Sequence, residues 1–123
     1  MGKQTIMIVD DEAGIRDIME KYLVQVGYHI VAVKNGQQAL DHLQSVNPDL
    51  ILLDIEMPGI DGFTVCKEVR KLSNVPIIFL TVRRDAADRE KCFQVGGNDF
   101  MTKPFDFETL ELRIKENLND TMI

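Results

Sequence analysis

The sequence predicts a single α/β domain whose parallel sheet is covered by helices on both faces. Three observations carry that reading. Five strand-like apolar runs alternate with five stretches of helical period along the 123 residues. The runs at 49–53 and 75–80 are almost continuously apolar, as strands buried on both faces must be. Turn-forming residues stand at the junctions of these segments, at Gly27, Asn35-Gly36, Asn47-Pro48, Ser73-Asn74 and Gly96-Gly97.

The first strand is 5–9 (TIMIV), followed by a helix over 13–26 in which Ile15, Ile18, Met19, Tyr22, Leu23 and Val26 fall mostly at three- and four-residue steps; Gly27 ends it. Strand 29–33 (HIVAV) runs into Lys34-Asn35-Gly36, which reads as an edge turn, and a helix over 36–46 stops at Asn47-Pro48. Strand 49–53 (DLILL) precedes a helix over 62–72 that ends at Ser73-Asn74. Strand 75–80 (VPIIFL) precedes a helix over 85–95 and the pair Gly96-Gly97. Strand 98–101 (NDFM) leads to a last helix, 106–118, with Phe107, Leu110, Ile114 and Leu118 on one stripe. The tail 119–123 is expected to fray, leaving an ordered core over 4–119 of a domain that spans 1–123. A chain of this length buries roughly two thirds of its unfolded surface and needs no covalent staples.

Composition narrows the function. The chain is 45% hydrophobic and 28% charged, ordinary for a globular protein, and its net charge of -6 disfavours direct contact with nucleic acid. Its apolar runs fall short of the roughly 20 residues that cross a bilayer. The start, MGKQTIMIVDDE, turns acidic too early for a secretory h-region. Cys66 and Cys92 lie inside amphipathic segments with no Cys-x-x-Cys and no nearby His, and read as buried reduced thiols. These features together predict a cytoplasmic protein that does not engage a membrane. His29 and His42 have no metal-ligand spacing and read as surface residues.

In open parallel sheets the ligand lies beyond the carboxyl ends of the strands. Asp10 and Asp11 follow the first strand, Asp54 the third and Thr81 the fourth, with Lys103 a short step after the fifth. Alone, each is bland: Asp11 reads as a helix cap, Asp54 as a turn residue, Thr81 as a strand-end hydroxyl and Lys103 as a solvated lysine. Delivered to one rim, they make a site. Three carboxylates about 5 Å apart repel by roughly 3–4 kcal/mol per pair at an effective dielectric near 20, so the set calls for a cation or for raised pKa values, with the group titrating together. It has too few oxygens for a calcium cage and suits Mg²⁺, which keeps several waters and accepts phosphate oxygen. A carboxylate beside that ion can attack phosphorus to give an aspartyl phosphate, without a general base because it is already anionic. The metal and Lys103 would neutralise the transferring group, and the Thr81 hydroxyl could donate to it.

The segments IMIVDDEAGIR, LILLDIEMPGIDGF, VPIIFLTVRRD and GGNDFMTKPFD resemble those of response-regulator receiver domains, the phosphorylation targets of two-component signalling. The resemblance covers nearly the whole chain and implies a doubly wound, flavodoxin-like (βα)5 fold with strand order 2-1-3-4-5. It implies that Asp54 is the phosphoacceptor, loaded by a sensor histidine kinase, and that the domain catalyses its own aspartyl phosphorylation and dephosphorylation without being an enzyme in the usual sense. Asp10 and Asp11 would hold Mg²⁺, Asp11 as the more direct ligand, with Asp54 and the Glu56 backbone carbonyl completing the protein's share. Thr81 would be the switch hydroxyl, Lys103 the phosphate-binding lysine and Phe100 the switch aromatic. The Lys103–Pro104 bond would be cis. Asp99 and Arg113 resemble a pair used across dimers of winged-helix regulators, which implies a phosphorylation-dependent homodimer through the 85–118 face and a DNA-binding effector. Val82 stands where the family usually has Ala or Gly, which predicts hindered access for small phosphodonors and water. Glu56 and Arg83 flank the site.

Competing readings remain on the residues alone. Asp54-Ile55-Glu56 could imitate the Asp-x-Asp of haloacid-dehalogenase phosphatases, although that leaves Asp10-Asp11 unexplained and the chain lacks room for a cap. A flavin-binding module would want a Ser/Thr/Gly-rich loop after the first strand, and none is there. A scaffold-only receiver would not need the full acid, hydroxyl and lysine set.

Overall fold

The computed structural model describes residues 3–118; the tail expected to fray, and with it residue 119 of the expected core, lies outside them. Five strands and five helices alternate: β1 (Thr5–Val9), α1 (Ala13–Val26), β2 (His29–Val33), α2 (Gly36–Val46), β3 (Leu50–Leu53), α3 (Gly62–Arg70), β4 (Ile77–Thr81), α4 (Ala86–Gln94), β5 (Asp99–Thr102) and α5 (Phe107–Leu118). The sheet runs β2-β1-β3-β4-β5, every pairing parallel. This is the doubly wound, flavodoxin-like order the resemblance implies.

Alternation along each strand decides which face a side chain serves. Met7, Val9, Ile51, Leu53, Ile77 and Phe79 build one core with residues of α2, α3 and α4. Ile6, Ile8, Leu50, Leu52, Ile78 and Leu80 build the other with α1 and α5. All four residues of β3 are buried, each contributing roughly 1.5–3 kcal/mol by leaving water. That anchors β3 at the middle of the sheet, and Asp54 is the next residue along the chain.

Several boundaries differ from the sequence reading. β4 starts at Ile77, two residues late, because Pro76 has no N–H to give a ladder; its carbonyl still accepts from the Ile51 amide at 2.9 Å. It extends one residue further, to Thr81, and β5 is shifted to Asp99–Thr102. β3 begins at Leu50; the preceding Asp49 bonds to Thr5 of β1 twice, its amide donating to the Thr5 carbonyl and its carboxylate accepting from the Thr5 amide, each at 2.7 Å. α3 stops at Arg70, leaving Leu72 61% exposed. α4 is bounded by Asp85 and Val95 as caps, and Asp106 precedes α5 with its carboxylate on the Thr109 amide at 2.7 Å. Asn35, read as part of an edge turn, caps α2 by accepting from the Gln38 amide at 2.8 Å. Ile18, placed on the α1 stripe, is 54% exposed.

Candidate functional site

The carboxyl edge of the sheet brings the five predicted rim residues together. Asp10 stays within reach of β1–β2 pairing through its amide, which donates to the Val33 carbonyl at 3.2 Å, and its side chain is buried. Its Oδ1 accepts from the Glu12 amide at 2.9 Å, leaving Oδ2 to face inward. Asp11 is exposed and caps nothing: the N-cap position of α1 is Glu12, which makes no side-chain cap either. The capping alternative for Asp11 therefore fails, and its carboxylate is free to serve the rim.

Asp54 extends β3 by one residue, its amide bonded to the Val9 carbonyl at 3.1 Å. The chain must then turn sharply. Pro58 and Gly59, with Gly59 at φ +82, make that turn, and Asp61 caps α3 by accepting from the Thr64 amide at 2.8 Å. α3 enters so close behind the acid that a Cβ on Gly62 would overlap the Asp54 carbonyl and lie 2.8 Å from Ile55 Cα. Only glycine permits this approach.

Ligand oxygens of Asp10, Asp11 and Asp54 all lie within 4.8 Å of one another, the spacing the charge argument anticipated. Burial is the main force raising the Asp54 carboxyl above the ordinary aspartate range, with the Asp10 charge adding to it and the Lys103 charge opposing it. Lys103 Nζ reaches Asp10 Oδ2 at 2.7 Å and Asp54 Oδ2 at 3.3 Å. Burial pushes this ammonium down, but its hydrogen bond to Asp10 and the two carboxylate charges outweigh that and hold it above the ordinary lysine value. A set of two buried acids and one exposed acid with a single ammonium retains net negative charge, and its clustered hard oxygens fit a small divalent cation. A cleft of about 460 Å³ lined by Asp11, Glu56, Met57, Pro58, Asp61 and Arg83 gives access to it.

Thr81 is fully buried at the end of β4, its Oγ1 accepting from the Arg83 amide at 3.2 Å. Lys103 follows β5, and its amide donates to the Thr81 carbonyl at 2.8 Å. Lys103–Pro104 is cis. Phe100 is half-buried against the core on the α2–α4 face, paired in register with Phe79. Val82 is 63% exposed and lines, with Lys103, Pro104, Phe105, Phe107 and Ile18, an apolar groove of about 430 Å³ beside the site. Asp99 and Arg113 stand apart from the rim and pair within the chain at 2.6 Å.

Sequence reasoning missed the contacts of three arginines around the site. Arg16 Nη1 donates to the Asp10 carbonyl at 2.7 Å and Arg84 Nη2 to the Lys103 carbonyl at 3.2 Å, so the main chain of both ion-paired residues is braced from elsewhere. Arg83, seen only as a flanking residue, pairs with Glu56 at 3.0 Å and with Asp88 at 3.3 Å. Glu56 is thereby committed to a cation, which removes the acid role that an Asp-x-Asp phosphatase reading would give it. Both histidines are exposed, and Cys66 and Cys92 are free, buried thiols, as expected. Among the described residues no helix is long and apolar enough to cross a membrane.

Comparison with known proteins bears on this arrangement. Residues 6–115 match the family described as the response regulator receiver domain. A protein of Guillardia theta described as a probable transcriptional regulator, ycf27, is 45% identical over 119 residues, covering 97% of this chain and 47% of the relative. YrkP of Bacillus subtilis, an uncharacterized transcriptional regulatory protein, is 44% identical over 109 residues, covering 89% of this chain and 47% of YrkP. The chain thus spans about half the length of the curated relatives it matches. Among solved structures, the beryllofluoride-activated N-terminal receiver domain of Klebsiella pneumoniae RstA superposes with a TM-score of 0.90 at 28% identity, covering 94% of this chain and 98% of that one. Vibrio cholerae chemotaxis protein CheY4 does so with a TM-score of 0.88 at 29% identity, covering 94% and 99%.

Proposed function

Because this chain belongs to the response regulator receiver domain family, we propose that it is a phosphorylation-driven switch in which a sensor histidine kinase loads a phosphoryl group onto Asp54. The observation that carries the proposal is the convergence of Asp10, Asp11 and Lys103 on Asp54. In the transfer, an Asp54 carboxylate oxygen forms the new bond to phosphorus while the phosphorus–nitrogen bond to the donor imidazole breaks, its electron pair leaving with the nitrogen. Asp10, Asp11, Asp54 and the Glu56 carbonyl are the groups we assign to Mg²⁺. When bound, that ion supplies the charge neutralisation that phosphoryl transfer demands.

The chain's own residues do the rest. Lys103, held between Asp10 and Asp54, is placed to accept the phosphoryl charge as a partner. The Thr81 hydroxyl has its proton free to donate to a phosphoryl oxygen, and Phe100 can take the space Thr81 vacates. The surface that responds is the 85–118 face, which carries Phe93 and Leu112, 46% and 58% exposed, and the Asp99–Arg113 pair. We assign this face to a phosphorylation-dependent homodimer. The transcriptional regulators among its relatives support an output through a DNA-binding effector, in the cytoplasm, with no nucleic acid or membrane contact by this domain itself. We assign the receiver domain to 1–123.

The test is phosphate labelling from a phosphorylated histidine kinase with and without Mg²⁺. The natural chain should label stoichiometrically only with the ion, and Asp54→Asn should not label. Equal labelling of Asp54→Asn would refute the assignment. A molecular mass unchanged by beryllofluoride and Mg²⁺ at high protein concentration would remove the homodimer.

A further inference from the structure

Arg83 holds together three parts of the molecule. Its Nε donates to Glu56 Oε1 at 3.0 Å, on the loop after β3, and its Nη1 to Asp88 Oδ1 at 3.3 Å, in the first turn of α4. Its main-chain N–H donates to Thr81 Oγ1 at 3.2 Å. Among the described residues no other ion pair ties that loop to α4. α4 has little else to fix it: Cys92 is its one buried residue, and Lys91 Nζ sits 4.6 Å from the centre of the Phe63 ring of α3. A helix with so few apolar contacts has its position decided by small terms, and a two-armed guanidinium is such a term.

On the reading that Asp54 is phosphorylated and Thr81 turns toward it, we infer that Arg83 is the positioning residue that couples the acceptor site to α4. A hydroxyl accepts one hydrogen bond while donating another. Thr81 can therefore keep the Arg83 N–H and give its own proton to the phosphoryl group, and its turn carries the Arg83 main chain with it. The guanidinium cannot follow while both Glu56 and Asp88 hold it. Either α4 shifts or the Asp88 arm opens. The strap thus favours the resting arrangement, and by reciprocity its loss favours loading of the site by the same factor.

The experiment is amide hydrogen exchange over residues 86–94, with and without beryllofluoride and Mg²⁺, together with the beryllofluoride concentration that half-loads the protein. Asp88→Asn should speed exchange of resting α4 about two- to five-fold, the worth of one half-exposed ion pair, and tighten loading by the same factor. Arg83→Gln should do likewise, and the double variant no more than either single change, because both cut one strap. Arg83→Lys keeps the charge but not the fork, and should lie between native and Arg83→Gln. Faster exchange with an unchanged loading midpoint would reduce Arg83 to a local prop and overturn the inference, as would additive effects in the double variant. A native chain that does not load at all overturns the acceptor assignment itself; native loading that Asp88→Asn leaves untouched removes the strap alone.

Discussion

Lys103 lies closer to Asp10 than to Asp54, at 2.7 Å against 3.3 Å. In the resting molecule the lysine is therefore chiefly the counter-ion of Asp10. Lys103→Gln leaves two buried carboxylates without a cation and should cost about 3 kcal/mol of stability in metal-free buffer. Adding Mg²⁺ should recover much of that loss, because a divalent ion replaces the missing charge. Urea unfolding of the native and Lys103→Gln proteins, each with and without Mg²⁺, reads both effects.

Asp54→Asn should be more stable than the native protein at pH 7 without metal. The Asp54 carboxyl is raised by burial, so its folded state favours the protonated form and ionisation costs stability. That cost disappears as pH falls through the raised folded value, and the advantage of Asn over Asp should shrink toward pH 4. Denaturation midpoints for both proteins across that range check the sign; an advantage that grows on acidification contradicts it.

Gly62→Ala forces the start of α3 away from the Asp54 carbonyl and Ile55 Cα. Neither neighbour is a flexible side-chain tip, so the backbone of the acceptor loop has to move. The expected cost is about 1–3 kcal/mol, with slower labelling of the folded fraction. Thermal unfolding gives the first and single-turnover phosphate labelling the second.

Val82→Ala opens the wall of the groove next to Lys103. Autophosphorylation by a small donor and self-dephosphorylation should both accelerate, by roughly two- to ten-fold, equivalent to about 1 kcal/mol of barrier. Transfer from a kinase should change less, since a protein donor makes its own way into the site. Equal rates in the two proteins would discard the idea.

Cys92 should be unreactive toward thiol reagents in the folded protein at pH 8. Burial pushes its thiol up to about 12 from an ordinary 9.0. As pH rises above 9 the unfolded chain releases this proton and the folded one does not, so stability should decline from pH 9 to about pH 12. Reagent kinetics in buffer and in urea separate the two states.

The five strands could be read from the sequence because short apolar runs alternate with helical periods, as a parallel sheet covered on both faces requires; their order came from the family resemblance, since no apolar pattern encodes which strands are neighbours. Once that class is chosen, the residues at strand ends become a short list, and Asp10, Asp11, Asp54, Thr81 and Lys103 are all on it. Boundaries were less visible: Val75 looks like a strand residue and is buried, but Pro76 beside it withholds the hydrogen bond. Ile18 fits the helical stripe yet falls outside the face α1 buries, beside Phe105 and Phe107 in the groove. The arginines were not legible. Arg84 reaches a carbonyl 19 residues away and Arg83 a carboxylate 27 residues away, and no periodicity encodes where a long flexible side chain ends.

Thr81 stands opposite Thr102 in the β4–β5 register, and the next amide, that of Lys103, bonds back to the Thr81 carbonyl. An inserted or deleted residue within either strand would swap inward and outward side chains from that point on, separating hydroxyl from ammonium. The opposite edge of the sheet carries no such bookkeeping. The Ser73-Asn74 connection could double in length for roughly 0.6 kcal/mol of closure entropy. Length variation in descendants of this chain should therefore accumulate at that amino-terminal edge, while the count of residues between Thr81 and Lys103 tolerates change only in the α4 segment that joins them.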